Sequence, residues 1–238
     1  MKQTLLILLA SVLMFPGLMR AQDSEESLYS NWGLGFQLGV GAMAPTGSLS
    51  DDLKGCALFT GGLSAEYKRL RFKADLLFSQ PSFKNENPYN ANDEQGKYLQ
   101  RNGTASTTSM CAAFQVGYTV WHKDRVSITP CVGVNFNRLS WDMNTIKWEP
   151  DEQGVEKPLI DDVSDVHENS TGWTASVDID IKLNGKFVDV ADGSHYTSSL
   201  RISPFITYAG YKDFNPSIKG NWIGVTLGYS GLFRMLTQ

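Results

Sequence analysis

The stretch Trp32-Gly33-Leu34-Gly35-Phe36-Gln37-Leu38-Gly39-Val40-Gly41 decides the fold. Its even-numbered positions are all apolar, and the positions between them hold four glycines and Gln37. Successive side chains of a strand point to opposite faces, so this strict alternation predicts a β-strand with one apolar face. The same period returns at residues 173–183, where apolar residues alternate with Thr, Ser, Asp and Lys. A helix would not sort those residues onto two faces.

Six more stretches have this character, which predicts eight strands. They are residues 59–67, 72–78, 110–120, 126–136, 200–208 and 223–233. The sequence therefore predicts an all-β fold, a closed antiparallel up-and-down barrel of about eight strands, with ten as the alternative. The stretch at 200–208 is the least regular, because Phe205 falls on its polar face.

The composition of the polar face favours a membrane barrel over a water-soluble one. A soluble barrel also alternates, with its apolar side turned inward. Here the polar positions are mostly Gly, Ala, Ser, Thr and Asn, as in a narrow polar interior, and they do not resemble a Lys/Glu-rich solvent face. Aromatic residues also gather near strand ends, where an interfacial girdle places them. These are Trp32, Tyr67, Phe72, Tyr118, Trp173, Tyr208, Tyr229 and Phe233.

The connections alternate in length, as expected for short periplasmic turns and longer outer loops. Residues 68–71 and 122–125 are short, whereas 44–55, 80–106, 142–171 and 211–220 are long and polar. Residues 184–199 break this rule. They form either a small periplasmic hairpin, which we favour, or two further strands. Pro130 and Pro204 fall inside strands, and we expect bulges there because proline cannot donate to a ladder.

The N-terminus predicts export. Residues 1–21 combine Lys2, an apolar run and Ala21 at a plausible cleavage point, which is typical of a cleaved signal peptide. We divide the chain into that signal peptide, a short segment at 22–31 and a barrel at 32–238. Cleavage changes the net charge from −4 to −6 by removing two basic residues, which argues against nucleic-acid binding. The three cysteines form no disulfide framework.

Several quoted runs resemble a known family. Phe72-Lys73-Ala74-Asp75-Leu76-Leu77-Phe78-Ser79-Gln80 is similar to the third-strand motif of the PorT-like outer-membrane barrels of Bacteroidota, which are small barrels of the OmpA/OmpX type. The Gly-rich first strand, the run from Gly62 to Tyr67 and the run from Thr129 to Val134 are similar to the same family. The chain departs from it at Asp75, where the family usually has Glu, and in its fourth strand. The resemblance implies fold and membrane location more firmly than role.

Charged residues on the polar faces should point into the barrel. We predict a structural lumenal network of Glu66, Lys73, Asp75, Asp178, Asp180, Lys182 and Arg201. Pairing Tyr67 with Phe72 across the first short turn would set Glu66 opposite Lys73. An eight-stranded barrel is only just wide enough for side chains to fill it, so we expect these charges to pair and close the pore. An ion or proton pathway is the alternative.

No constellation in the sequence predicts chemistry. None of the three histidines pairs with an obvious nucleophile, although His195 and Ser198 lie three residues apart, in the predicted periplasmic connection. The acidic run in residues 142–168 has no calcium-loop spacing. We expect no catalytic residue, no cofactor and no metal site. The expected role is structural or interactive, through outer loops that contact envelope proteins or glycans, in a monomer surrounded by outer-membrane lipids. An accessory subunit of a secretion or uptake complex is the alternative, and a lipid-modifying hydrolase is a third reading.

Overall fold

The structure, a computed structural model, describes residues 32–84, 91–92, 98–101, 107–123, 125–150, 153–154, 156–183, 188–191, 194–212 and 218–235. The predicted signal peptide and the segment at 22–31 lie outside these residues. In chain order the elements are β1 (Trp32–Pro45), α1 (Leu49–Asp52), β2 (Cys56–Tyr67), β3 (Leu70–Ser79), β4 (Ala91–Asn92), β5 (Tyr98–Arg101), β6 (Thr107–Tyr118), β7 (Trp121–Lys123), β8 (Val126–Pro150), β9 (Glu156–Lys182), β10 (Val188–Ala191), β11 (Ser194–Tyr211) and β12 (Ile218–Met235).

Eight long strands close into a barrel. Strands β1, β2, β3, β6, β8, β9, β11 and β12 each pair antiparallel with the next in this order. Strand β12 returns to β1 and pairs with it from Gly33↔Arg234 to Pro45↔Trp222. The predicted eight-strand up-and-down barrel is confirmed. No helix among the described residues is long and apolar enough to cross a membrane.

The ten-strand alternative is wrong. Strand β10 pairs only with the start of β11, from Val188↔Tyr196 to Ala191↔Ser194. Strand β9 then takes over as the partner of β11, from Ser199↔Lys182 onward. Four residues are far fewer than the roughly 9–11 that a membrane-spanning strand needs. Strand β10 and the first residues of β11 therefore form a small hairpin at the short-turn end, as expected.

Burial in this barrel is inverted relative to a soluble protein. Outward-facing apolar side chains are widely exposed, as with Leu63 at 70% and Val132 at 63%. Inward-facing polar side chains are buried, and Asp178 and Thr129 are both at 0%. Large exposed apolar surfaces mark contact with something other than water, and a continuous apolar band around a closed barrel is the lipid-facing surface of a transmembrane barrel. These strands therefore span a membrane of the outer-membrane type.

Aromatic side chains ring the short-turn end of this band. Trp32 and Tyr67 lie with ring centroids 4.9 Å apart, and Tyr196 and Phe233 lie 4.6 Å apart. The hydroxyl of Tyr196 also contacts that of Tyr229 on the outer surface. Such a ring matches the predicted girdle, because amphipathic aromatic rings prefer the membrane–water interface.

The two strand prolines interrupt different ladders. At Pro130 the β8–β9 ladder continues, but the register toward the other neighbour shifts by one residue between Cys131↔Gly117 and Ile128↔Trp121. The extra residue lies between Gly117 and Trp121, so the irregularity is on the partner strand opposite Pro130, and the bulge predicted at the proline itself is wrong. At Pro204 the prediction is wrong: the ladder with β9 has a gap between Ile202 and Phe205 and resumes in the same register. The missing N–H is accommodated there by lost pairing alone.

The first hairpin is tighter than its sequence suggested. The turn is Lys68-Arg69, with Lys68 in the left-handed region at φ 55°. Two-residue hairpins need positive φ because that geometry follows the twist of the strands. Tyr67 therefore pairs with Leu70, and Glu66 pairs with Arg71. The predicted pairs Tyr67–Phe72 and Glu66–Lys73 are wrong by two residues.

Candidate functional site

The lumen holds a buried network of ion pairs, with Arg71 of β3 at its centre. The Arg71 guanidinium donates to Glu66 Oε1 at 2.7 Å, to Asp178 Oδ2 at 3.1 Å and to Asp180 Oδ2 at 2.8 Å. Glu66 belongs to β2, whereas Asp178 and Asp180 belong to β9. One side chain thus links strands that are not neighbours in the sheet.

Asp178 gathers several donors on the same level of the barrel. Lys73 Nζ lies 3.0 Å from Asp178 Oδ1 and 3.1 Å from Asp75 Oδ2. The Ser203 hydroxyl of β11 lies 2.9 Å from Asp178 Oδ1. An uncompensated carboxylate in a confined interior is costly, and these contacts provide the compensation.

The network continues around the barrel through Arg201 of β11. Arg201 donates from Nε to Asp180 Oδ1 at 2.6 Å and from Nη2 to Asp180 Oδ2 at 3.2 Å, a two-point contact. Gln37 of β1 receives a hydrogen bond from Arg201 and donates one to Asp75. Two-point Arg–carboxylate contacts fix orientation as well as charge.

The structure brings six of the seven predicted lumenal residues together, and Lys182 lies nearer the short-turn end of the barrel than the others. Glu66, Lys73, Asp75, Asp178, Asp180 and Arg201 are buried and belong to the network. Lys182 is half-buried at the short-turn end, where its Nζ lies 3.1 Å from His122 Nε2. The predicted turn at 122–125 is shorter in the structure, because residues 121–123 form β7.

Sequence reasoning missed three members of the network. The short connection predicted at 68–71 includes Arg71, although its position one before Phe72 gives it the polar parity of Lys73. Arg234 follows the last predicted strand, and its Nη2 lies 2.7 Å from Glu66 Oε2. Gln37 is the one residue other than glycine at the odd positions from Gly33 to Gly41, and that signal could have identified it.

Above the ion pairs lies a layer of neutral polar side chains. Gln115 of β6 donates to the Thr174 hydroxyl at 3.1 Å and accepts from the Ser176 hydroxyl at 2.8 Å. Asn137 donates to Asn135 Oδ1 at 2.7 Å. A cavity of about 30 Å³ lies between this layer and the ion pairs, lined by Gln115, Thr174 and Ser176 together with Lys73 and Asp75.

An apolar plug closes the outer end of the lumen. We define it as Met43, Leu49, Leu53, Leu58, Phe83, Leu139, Trp141, Ala209, Tyr211, Ile218 and Trp222, all buried. Phe205, irregular in the sequence pattern, faces inward and packs against this plug.

The segment after β1 folds over the outer end of the barrel. Lys54 N donates to Ser82 O at 2.8 Å, and Lys84 N donates to Asp52 O at 2.7 Å. Burial and the neighbouring Asp51 raise the pKa of Asp52 in this segment, although Lys84 opposes the shift.

The predicted outer loop at 142–171 is not a loop. Strands β8 and β9 stay paired from Val126↔Ile181 to Pro150↔Glu156, with one register shift after Thr145. Strand β5 pairs with β8 at 143–145 and widens this hairpin into a small sheet. The acidic side chains at 142–165 lie outside the described side chains. We call residues 139–168 the outer hairpin.

The described side chains contain no group of three or more His, Cys, Asp or Glu placed to hold a metal ion. His167 is exposed on the outer hairpin, and the side chain of His195 lies outside the described set.

No family model and no curated protein matches the chain. Among solved structures it is similar to Ail, the attachment invasion locus protein of Yersinia pestis, at 7% identity and a TM-score of 0.44, covering 85% of this chain and 99% of Ail. Neisserial surface protein A has 13% identity and a TM-score of 0.40, over 85% of this chain and 97% of that one. OprG of Pseudomonas aeruginosa has 8% identity and a TM-score of 0.37, over 88% and 98%. Likeness this remote says nothing about role, and membership of the PorT-like family stays a prediction.

Proposed function

We propose that this protein is a bacterial outer-membrane barrel with a non-enzymatic, structural or interaction role, carried by its outer hairpin. The observation that supports this most directly is strand length. Strands β8 and β9 contain 25 and 27 residues, whereas about 9–11 suffice to span the membrane.

The position of the membrane boundary supports an external location for the extra length. Arg138 is exposed on the outer wall just beyond Phe136, the last apolar residue of the band on β8. From Arg138 to Pro150 the strand runs about 40 Å further at roughly 3.3 Å per residue. A paired hairpin of that length, held by a rigid barrel, presents a surface to envelope proteins or glycans.

The filled lumen supports the same role. The ion-pair network and the apolar plug occupy successive levels between the two ends of the barrel. A solute would have to displace both, so transport through the lumen is a poor alternative. An interaction outside the barrel requires no such rearrangement.

Trimming the hairpin tests the proposal. The variant replaces residues 142–165 with Asn-Gly, so that Trp141 and Val166, which pair in the structure, flank a two-residue turn. Its control replaces only residues 151–155 with Asn-Gly and keeps the paired arms. Both should fold, as judged by heat-modifiable migration on a gel. We expect the control to complement the phenotype of a deletion strain and the trimmed variant to fail. Full complementation by the folded trimmed variant would overturn the proposal.

A further inference from the structure

The short-turn end of the lumen opens into a cationic vestibule. Among the described residues, its lining includes five basic residues, Lys68, Arg71, Lys182, Arg201 and Arg234, and two acidic ones, Glu66 and Asp180. The Lys68 ammonium lies over the Tyr67 ring, 5.6 Å from its centroid, at the rim of this space. The space left between the lining residues is about 80 Å³, more than the cavity next to the neutral layer provides. This end therefore has both room and an excess of positive charge.

The charge excess persists when the next layer toward the outer end is included. Lys73, Asp75 and Asp178 form that layer and together add one net negative charge. Among the described residues, the vestibule lining and this layer together contain six basic and four acidic residues. Since buried charges are compensated where possible, an excess of cations around an accessible cavity favours an anion within it.

The lining also supplies neutral donors. Serine and threonine hydroxyls from several strands face the cavity, among them Ser64, Ser127, Thr197, Ser199 and Ser230. Lys182 Nζ is 3.1 Å from His122 Nε2, and because an ammonium group only donates, that ring nitrogen accepts and the imidazole is neutral. Lys182 is half-buried and Lys68 is exposed in the turn, so both lie at the entrance.

We propose that this vestibule binds an oxyanion, a phosphate or carboxylate group, presented from the periplasmic side. Guanidinium and ammonium groups with surrounding hydroxyls are the donors that both kinds of oxyanion accept. The closed outer end makes the site a pocket entered from one side. An anchored anion there would tie the barrel to a periplasmic molecule, independently of the outer hairpin.

Calorimetric titration of the folded full chain in an uncharged detergent tests this site. Inorganic phosphate and succinate are titrated separately at low salt, and the two arms distinguish a phosphate from a carboxylate ligand. We expect saturable binding of at least one, weakened by added NaCl because the attraction is electrostatic. Lys182→Gln should lower the affinity about tenfold, the effect of losing one hydrogen bond to a charged group.

Two further variants keep the result interpretable. Lys219→Gln removes the same charge from an exposed position at the outer end of β12 and should leave the affinity unchanged. Lys68→Gln changes an exposed turn residue, where a folding defect is not expected, and should weaken binding several-fold. Absence of saturable binding of both anions by the unmodified chain would overturn the proposal. Equal affinities of the Lys182→Gln, Lys68→Gln and Lys219→Gln variants would also overturn it.

Discussion

Lys73 Nζ of β3 lies 3.0 Å from Asp178 Oδ1 of β9, although two other strands separate β3 from β9 around the barrel. Both side chains are almost fully buried, at 3% and 0% exposure. This contact joins opposite parts of the wall through the interior. It makes the lumen a cross-braced core, in which charge pairing replaces the apolar packing of a soluble protein.

A double-mutant cycle on this pair measures the bracing. Lys73→Met and Asp178→Asn should each lower the free energy of unfolding by about 3–5 kcal/mol, because each leaves a buried partner charge uncompensated. The double variant should lose clearly less than the sum, since the second change removes the charge that the first stranded. Urea unfolding of the barrel in lipid vesicles provides the values. Additive losses would mean that the two charges do not interact.

The fold was predictable because lipid and lumen impose opposite chemistry on alternate residues. Trp32, Leu34, Leu38 and Val40 face outward, as their two-residue period indicates. The short connections were visible as well, because turns need few residues. Strand length was not visible beyond residue 141. The apolar positions that follow switch from odd (Met143) to even (Ile146 and Trp148) at the register shift after Thr145, so the two-residue period is broken in the sequence.

The inward-facing side of each strand was predictable, whereas the full membership of the network and its pairing were not. Parity alone placed Lys73 and Asp178 on the inner face. Which carboxylate meets which cation depends on the register, and the register depends on a two-residue turn that a Lys-Arg sequence does not signal, since Lys rarely adopts positive φ. A shift of two residues keeps every side chain on its face and changes every neighbour. Glu66 therefore meets Arg71 rather than Lys73.

Two adjacent glycines should respond differently to the same substitution. At Gly62, which faces the lumen, an added Cβ would lie 2.2 Å from Asp75 Oδ1 and 2.8 Å from Ala74 O. At Gly61, which faces lipid, the nearest atom would be Leu38 Cδ2 at 3.4 Å, an ordinary contact. Gly62→Ala should destabilise the barrel by about 1–3 kcal/mol through overpacking. Gly61→Ala should be neutral or slightly stabilising, because alanine loses less backbone entropy than glycine.

The comparison uses urea midpoints of the two variants in the same vesicles. The Gly61 variant controls for any general effect of alanine in β2. Similar midpoints for both variants would contradict the close approach of Asp75 to Gly62 and, with it, the position of Asp75 in the network.

The apolar plug and the ion-pair network should act as two separate closures of the lumen. Leu139 is fully buried in the plug, whereas Leu76 faces lipid at 62% exposure. Either leucine-to-alanine change removes the same apolar atoms, so the loss in hydrophobic transfer free energy is similar. Only Leu139→Ala also leaves a cavity in the protein interior, because lipid fills the gap at Leu76. Leu139→Ala should therefore cost more, within the range of about 2–5 kcal/mol for buried leucines.

Conductance across a planar bilayer separates stability from closure. Leu139→Ala should leave the barrel non-conducting, since the contacts of Arg71 and Arg201 with Asp180 still cross the lumen below the plug. Leu76→Ala is the matched control for protein insertion. If Leu139→Ala produced discrete channel openings and Leu76→Ala did not, the network would not close the lumen. The charged residues would then be better explained as an ion or proton pathway than as a structural network.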